Sequence, residues 1–381
     1  MIFRILEDRL AETAREQKEA DRRFMQLALA LGRRGLGRTW PNPAVGAVVA
    51  KDGVIVGRGW TQPGGRPHAE PEALKRAGQS ARGATLYVTL EPCSHVGKSP
   101  PCTDAIIASG IARVVAAIGD PNPEVAAQGF AKLRAAGIAV DIGLEAAQAA
   151  RDHAGHLRRV RDGRPHVILK LAVSADDKIG GPGRKPVAIT GEAARTRVHL
   201  LRAQCDAILV GIGTVLADDP LLTCRLPGMA ARSPVRVILD RSLRIPLASR
   251  LVQSARETQL WVMTSETAEA AAAAGLGAAG AQVIRVAGTT PDIDLKVVLH
   301  LLAERGITRL MVEGGSRVAA AFVAAGLVDE AWLLRGPEAI GNDGVNALGA
   351  LPLSALTQSP NLRVRVSETL GEDTLTIYER A

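Results

Sequence analysis

The sequence predicts an α/β protein built from two units, each an alternation of strands and helices. Three observations carry that expectation. At 381 residues the chain is long for a single domain. Aromatic residues make up only 3% of it, so its apolar content is Ala, Val, Leu and Ile, a composition suited to strand–helix layers rather than to aromatic stacking surfaces. The alternation also runs twice, on either side of a basic, polar stretch between Ala149 and Pro165. The expected division is an extension over 1–20, a first unit over 21–150, a linker over 151–165 and a second unit over 166–381.

Taken in order, residues 1–20 are charged and helix-favouring, a peripheral helix or frayed extension. A helix-like segment follows from Asp21 and ends in the glycines and arginines before Thr39. Val45 to Ala50 and Val54 to Val56 read as strands joined by Lys51-Asp52-Gly53, a hairpin signal. The loop Pro63 to Pro67 delivers His68 to the start of a helix. Ala84 to Leu90 reads as a buried strand, and Pro100-Pro101 preset a helix starting near Cys102. Strands over Val114 to Ile118 and Ile138 to Ile142, with a helix over Phe130 to Ala135, complete the first unit. The stretch 151–165 holds Gly155, Gly163 and five arginines, so His153 and His156 are expected as solvated linker residues.

The second unit restarts with a strand over Val167 to Val173 and a helix over Glu192 to Ala203. Strands are expected at Ala207 to Val210, Val235 to Leu239, Leu260 to Thr264 and Val283 to Val286, then a helix over Leu295 to Arg305. Arg309 to Glu313 is a further strand, opening through Gly314-Gly315-Ser316 into a helix to Ala325. Backbone N–H groups at such a strand–glycine–helix junction can approach a dinucleotide phosphate, although G-x-G-x-x-G is absent, so the standard Rossmann fingerprint does not apply. Gly211 to Asp219 reads either as a strand-exit turn or as a ligand loop. The Ala-rich tract 268–281 is a surface helix, and Thr374 to Tyr378 is a terminal strand.

Charge and cysteine usage bound the function. The 47 Lys+Arg against 39 Asp+Glu give +8, which favours anionic partners without choosing among them. Four cysteines do not make a disulfide framework in a chain this long; Cys205 and Cys224 read as ordinary buried thiols of a reducing compartment. No secretory segment opens the chain and no apolar run reaches transmembrane length, so the expected location is the cytoplasm.

Chemistry concentrates between His68 and Cys102. His68, Cys93 and Cys102 can supply three ligands to a tetrahedral Zn²⁺ and leave the fourth position to water, the arrangement of a catalytic site. A structural zinc would want a fourth protein ligand, and none is suitably placed, since His95 is better placed to face a substrate. Glu70, two residues after the first ligand, can reach the activated water without ligating and so carry a proton to a substrate nitrogen. Zinc nucleobase deaminases use this logic with two residues between the cysteines; here eight, Ser94 to Pro101, intervene. Asn42, between two prolines, is open to a rigid-turn reading as well as a binding one.

Taken together the motifs resemble the bifunctional riboflavin-biosynthesis family, in which a pyrimidine deaminase precedes a reductase. In the first half the resemblance rests on Thr39 to Gly46, His68-Ala69-Glu70, Thr89 to His95, Pro100-Pro101-Cys102 and Asp120 to Pro123. In the second it rests on Leu169 to Ser174, Leu200 to Ala203, Thr214 to Thr223 and Val312 to Gly315, so that it covers nearly the whole chain from Asp21. The wide cysteine spacing is itself a mark of this family.

The resemblance implies a cytidine-deaminase-like α/β/α domain followed by a dihydrofolate-reductase-like domain, with Zn²⁺ and NADPH as cofactors. Activated water would attack C2 of a diaminopyrimidinone carrying a ribosylamino 5′-phosphate, and Glu70 would carry the proton to the ring nitrogen and the leaving ammonia. Asn42, His95 and Lys98 would hold that substrate. NADPH would then reduce C1′ of the ribose, turning ribosyl into ribityl. The resemblance puts Lys170 and Asp218 at the reacting sugar, Arg202 and Arg225 at its phosphate or hydroxyls, and Leu222 and Glu313 on the substrate side. Val173, Ala188, Thr214, Asp218, Gly315, Ser316, Arg317, Val318, Ala319, Ala320 and Ala321 would contact NADPH.

Three positions depart from the family's usual pattern: Asp177 stands where glycine is common, Ala188 where tryptophan is common, and Ser99 where threonine is frequent. The expected partners are a phosphorylated pyrimidine and further copies of the chain, as dimer or tetramer, with neither nucleic acid nor membrane. The alternatives are a deaminase with a degenerate reductase half, or an RNA-directed deaminase, which the scarcity of aromatic stacking residues disfavours.

Overall fold

The computed structural model describes residues 2–97, 99–122, 125–288 and 293–381. The chain divides into two compact units, Met1–Gly163 and Arg164–Ala381.

The first unit is a five-stranded sheet between two helical layers. Its strands are β1 (Gly46–Lys51), β2 (Val54–Trp60), β3 (Thr85–Val88), β4 (Arg113–Ala116) and β5 (Ala139–Ile142), in the order β2-β1-β3-β4-β5. The hairpin partner β2 and its neighbour β1 run antiparallel, whereas β3, β4 and β5 are parallel. Alternation assigns the faces. Ala47, Val49, Leu86, Val88, Val114 and Ala116 meet α2 (Ala69–Ala77), α3 (Cys102–Ser109) and α4 (Gln128–Ala135). Val48, Ala50, Tyr87, Val115 and Ala117 face α1 (Ile2–Gly32) and α5 (Ala146–Asp152), with Met25, Ala28 and Leu29 forming the buried stripe of α1.

Glycine sets how closely helices lie on this sheet. A Cβ at Gly57 or Gly59 would stand 2.2 or 2.1 Å from carbonyl oxygens of α2. Those two positions let α2 lie directly on β2, and His68 is its N-cap. On the opposite face Asp21 of α1 is pinned across the sheet by Tyr87, whose hydroxyl donates at 2.6 Å, and by Arg113, at 2.8 and 3.0 Å.

Within the stretch expected as an extension, 1–20, the described residues 2–20 belong to α1. The stretch expected as a linker is helical over α6 (Ala154–Asp162), and His153 is only 2% exposed. The glycines misled the reading: Gly155 is buried against the helix's surroundings and Gly163, at φ 64°, ends the helix as a left-handed cap.

The second unit contains a nine-stranded sheet ordered β10-β9-β8-β7-β11-β6-β12-β14-β13. Its strands are β6 (His166–Val173), β7 (Ala207–Gly211), β8 (Val235–Leu239), β9 (Leu260–Ser265), β10 (Gln282–Val286), β11 (Arg309–Gly314), β12 (Glu330–Arg335), β13 (Leu362–Leu370) and β14 (Asp373–Arg380). From β10 to β12 every pairing is parallel; β14 and β13 add an antiparallel edge. The crossovers are α7 (Glu192–Ala203), α8 (Ile212–Asp218), α9 (Arg250–Gln253), α10 (Ala270–Ala278), α11 (Leu295–Glu304) and α12 (Ser316–Ala324), and α13 (Ser354–Thr357) precedes β13. Fully buried Val167, Leu169, Ile208, Leu209, Val237, Val262 and Met311 show why these strands read as continuous apolar runs: both faces are covered. Strands β12 and β13 were not anticipated. The first is flanked by Glu330 and Arg335, and the second carries Arg363, Arg365 and Glu368, so neither reads as an apolar run.

Candidate active sites

In the first unit, the helix starts and strand ends bring three ligand types together. His68 caps α2, Cys102 opens α3, and Cys93 lies in the loop leaving β3. The His68 Nδ1 atom lies 3.3 Å from Cys102 Sγ and 3.7 Å from Cys93 Sγ, and all three ligand atoms fall within 4.8 Å of one another. Tetrahedral zinc, with bonds of about 2.0 Å to nitrogen and about 2.3 Å to sulfur, needs nitrogen and sulfur about 3.5 Å apart. The donor set therefore fits the metal. Cys102 N donates to Cys93 Sγ at 3.3 Å, so the first turn of α3 faces the thiolate. The Cys102 thiol bond, together with His68, holds the Cys93 pKa down at about 4, and the same coupling pushes the Cys102 thiol up.

Glu70 sits in the first turn of α2, 4% exposed. Burial pushes its carboxyl up to about 7, against the opposing pull of His68. A carboxyl poised there can both take and return a proton near neutral pH.

Around this core, Asn42 Nδ2 donates to Gly65 O at 2.8 Å, joining its proline-flanked turn to the loop that delivers His68. A Cβ at Gly65 would stand 2.2 Å from that amide nitrogen. His95 is exposed on the loop between the two cysteines, and Lys98 lies outside the described residues. Sequence reasoning assigned no role to Glu91. Its buried carboxylate accepts from the N–H groups of Asp120, Ala127, Gly129 and Phe130 at 3.0 to 3.3 Å, fixing the start of α4 against Pro92 and Cys93.

In the second unit a cavity of about 1500 Å³ opens at the carboxyl ends of β6, β7, β8 and β11, the edge where open α/β sheets bind ligands. At its floor Glu313 accepts from Arg202 Nε and Nη2, each at 2.9 Å, and from Lys170 Nζ at 3.3 Å. Burial alone would raise the Glu313 carboxyl, but the two cations outweigh it and hold it at about 2. Leu222 lines the cavity from a left-handed backbone, φ 55°. Asp218, the last residue of α8, lines it too, and partial burial raises its carboxyl above the usual range.

Ala188, Thr214, Gly315, Ser316, Arg317, Val318 and Ala321 share the same wall. Gly315 N-caps α12 at φ 75°, and a Cβ there would stand 3.1 Å from Thr214 Oγ1, so the helix start and α8 meet closely. The volume exceeds the roughly 300–1,000 Å³ of ordinary small-ligand pockets. With Arg317, Arg241 and Arg244 on its lining it fits a phosphorylated dinucleotide beside a sugar phosphate.

Four expected residues stand elsewhere. Val173 and Ala319 are fully buried and offer no side chain to a ligand; the Val173 carbonyl is taken by Gly336 N. Ala320 is half-buried off the cavity wall, and Arg225 is exposed outside it, its backbone N–H donating to His199 Nδ1 at 3.3 Å. Conversely Arg241, Ser242 and Arg244 line the cavity and were missed. Their signal was position, directly after the buried parallel strand β8.

The fold and the two sites define a zinc-dependent deaminase joined to an NADPH-dependent reductase. Two family models agree: the cytidine and deoxycytidylate deaminase zinc-binding region matches residues 18–118, and the RibD C-terminal domain matches 165–376. The chain is 41% identical to the riboflavin biosynthesis protein RibD of Aquifex aeolicus, over 95% of this chain and 99% of that one. To RibD of Escherichia coli it is 40% identical, over 93% and 97%. Among solved structures, RibD of Acinetobacter baumannii superposes with a TM-score of 0.85 at 34% identity, covering 96% of this chain and 99% of that one. A Thermotoga maritima structure described as a diaminohydroxyphosphoribosylaminopyrimidine deaminase and phosphoribosylaminouracil reductase superposes at 0.84 with 36% identity, covering 96% and 100%. The chain belongs to the RibD family, the bifunctional deaminase–reductases of riboflavin biosynthesis.

Proposed function

We propose that the first site deaminates diaminohydroxyphosphoribosylaminopyrimidine and that the second reduces the ribosyl chain of the product. His68, Cys93 and Cys102 would hold Zn²⁺, which would supply the Lewis acidity that makes water a nucleophile at neutral pH. Glu70 takes a proton from the attacking water and returns it to the ring nitrogen and then to the departing ammonia, a cycle suited to a carboxyl near 7. Asn42, His95 and Lys98 hold the substrate.

The cavity of the second site would hold NADPH, whose chemistry when bound is hydride donation, here to C1′ of the ribose. Reduction there frees the sugar ring oxygen, which needs a proton; Lys170 and Asp218 are the cavity's proton carriers on that side. Glu313 holds Lys170 and Arg202 in place beside the substrate, and Arg202 would meet its phosphate or hydroxyls with the edge of the guanidinium turned away from Glu313. Thr214, Gly315, Ser316 and Arg317, which line the cavity at the start of α12, would hold the cofactor phosphates.

The observation that carries this reading is the convergence of one imidazole and two thiols within 4.8 Å, beside a buried carboxyl. Metal analysis with separate assays of ammonia release and NADPH oxidation tests it. Stoichiometric zinc, ammonia release from the free nucleotide and NADPH oxidation on the deaminated intermediate are expected; no ammonia release from zinc-loaded protein would reject it. Lys170→Ala is expected to abolish NADPH oxidation and spare deamination. The same reading includes a cytoplasmic location, which four free thiols suit, action on a free nucleotide rather than nucleic acid, and a dimer or tetramer, which light scattering would measure.

A further inference from the structure

Helices α5 and α6 lie outside the stretch matched by the deaminase family model, which ends at residue 118. His153, at the junction of the two helices, and His156, in α6, nevertheless reach into the loops that carry the first site. His153 Nε2 lies 3.0 Å from Thr89 Oγ1, and Thr89 accepts from Gly46 N at 3.1 Å in the loop leaving β3. One turn further on, His156 Nε2 lies 3.0 and 3.1 Å from the two carboxylate oxygens of Asp120, in the loop leaving β4. The N-cap of α6, His153, and its first turn, through His156, thus touch both loops. Because β3 and β4 are parallel neighbours, these loops leave the same edge of the sheet, the edge that presents Cys93.

Asp120 is a junction. Its N–H donates to Glu91 Oε2 at 3.2 Å, two residues before Cys93, and its Oδ1 accepts from Asn122 N at 2.9 Å. The loop 120–122 is thereby held from below by Glu91 and from above by His156. The two side chains of the His156–Asp120 pair are only 10% and 9% exposed. Water does not readily substitute for a bond so enclosed, and a carboxylate left unpaired there costs its desolvation. Among the described residues the buried His156 Nδ1 has no hydrogen-bond partner, and the ring's polar contacts are those to Asp120.

We infer that His156 is a positioning residue of the deaminase, acting through Asp120 to hold the 120–122 turn as the β4-side wall of the substrate pocket. The inference rests on reading the first site as a deaminase. If the clamp is lost, the zinc ligands stay in place, but the wall shifts and substrate binds less well, a misplacement that acts on KM before it acts on the chemical step.

The test uses full-length His156→Phe, which keeps a ring and removes the bond, and His156→Gln, whose amide nitrogen reaches where Nε2 stands. His156→Phe is expected to raise the KM for ammonia release about tenfold while kcat stays within about twofold. Zinc content and NADPH oxidation on the deaminated intermediate should match wild type, and Gln should restore KM to within about threefold. An unchanged KM in His156→Phe overturns the inference. So does an equal fall of kcat and zinc content in both variants, which would mark a packing role only. Wild-type protein that releases no ammonia would instead reject the deaminase reading itself.

Discussion

Glu70 and Glu313 are the same residue type, the first buried and the second with a side chain 11% exposed, each at the centre of one unit's site, and their carboxyls are driven in opposite directions. Glu70 is enclosed beside thiols and an imidazole, so burial dominates and its pKa stands at about 7. Glu313 is enclosed between Arg202 and Lys170, which outweigh burial and hold it at about 2. Burial fixes how much a charge matters; the neighbours fix its sign. The first carboxyl is poised to exchange protons near neutral pH, and the second is an anion held between two cations.

Neutralising each carboxylate in turn breaks or sharpens this contrast. Glu70→Gln is expected to retain zinc and to lower ammonia release by roughly 10³-fold, the range of a lost general acid–base, with thermal stability equal to or above wild type because a buried ionisable group is gone. Ammonia release near the wild-type rate would remove Glu70 from the mechanism. Glu313→Gln should behave differently. It leaves Lys170 and Arg202 facing one another without an anion, so roughly 3 kcal/mol of stability in the second unit is expected to go with the reductase activity, while deamination persists. A variant as stable as wild type in urea would show that the anion does not hold the cations.

The acid dependence of stability carries the same sign. The folded Glu313 pKa lies below its ordinary 4.5, so its contribution is fully present above about 4.5 and is lost as pH falls through about 2. The gap is worth roughly 3 kcal/mol. Urea titrations between neutrality and pH 2 should show that loss in wild type and not in Glu313→Gln.

The two sites also differ in how far the sequence announces them. His68 and Cys102 are 34 residues apart, within one loop–helix–strand–loop–helix run, and their residue types are informative by themselves. Lys170 and Glu313 are 143 apart and meet because β6 and β11 are neighbours in the sheet, a pairing no local pattern encodes. Likeness to a family supplied their roles. Apolar strands and their crossover helices were legible for the same reason as the zinc ligands: local pattern suffices when both faces of a strand are buried. Segments whose burial is one-sided or whose buried groups are polar were not. His153 and His156 read as solvated linker, and β13, with Arg363, Arg365 and Glu368, did not read as a strand, because their environments come from tertiary neighbours.

The smallest effect concerns Asp177, where glycine is common in the family. Its φ of 65° is left-handed, a conformation that glycine adopts freely and that costs other residues about 1 kcal/mol, with aspartate among the more tolerant. The side chain recovers part of that through Arg335, 2.7 Å away, in a pair whose side chains are 49% and 37% exposed and hence worth at most about 1 kcal/mol. The two contributions nearly cancel, so Asp177→Gly is expected within about 0.5 kcal/mol of wild type in urea. Asp177→Ala keeps the backbone cost and loses the ion pair, so a loss of about 1–2 kcal/mol is expected. The KM for NADPH should move with neither, since Asp177 does not line the cavity. If the alanine variant proved as stable as the glycine one, the left-handed backbone would not be what this position has to satisfy.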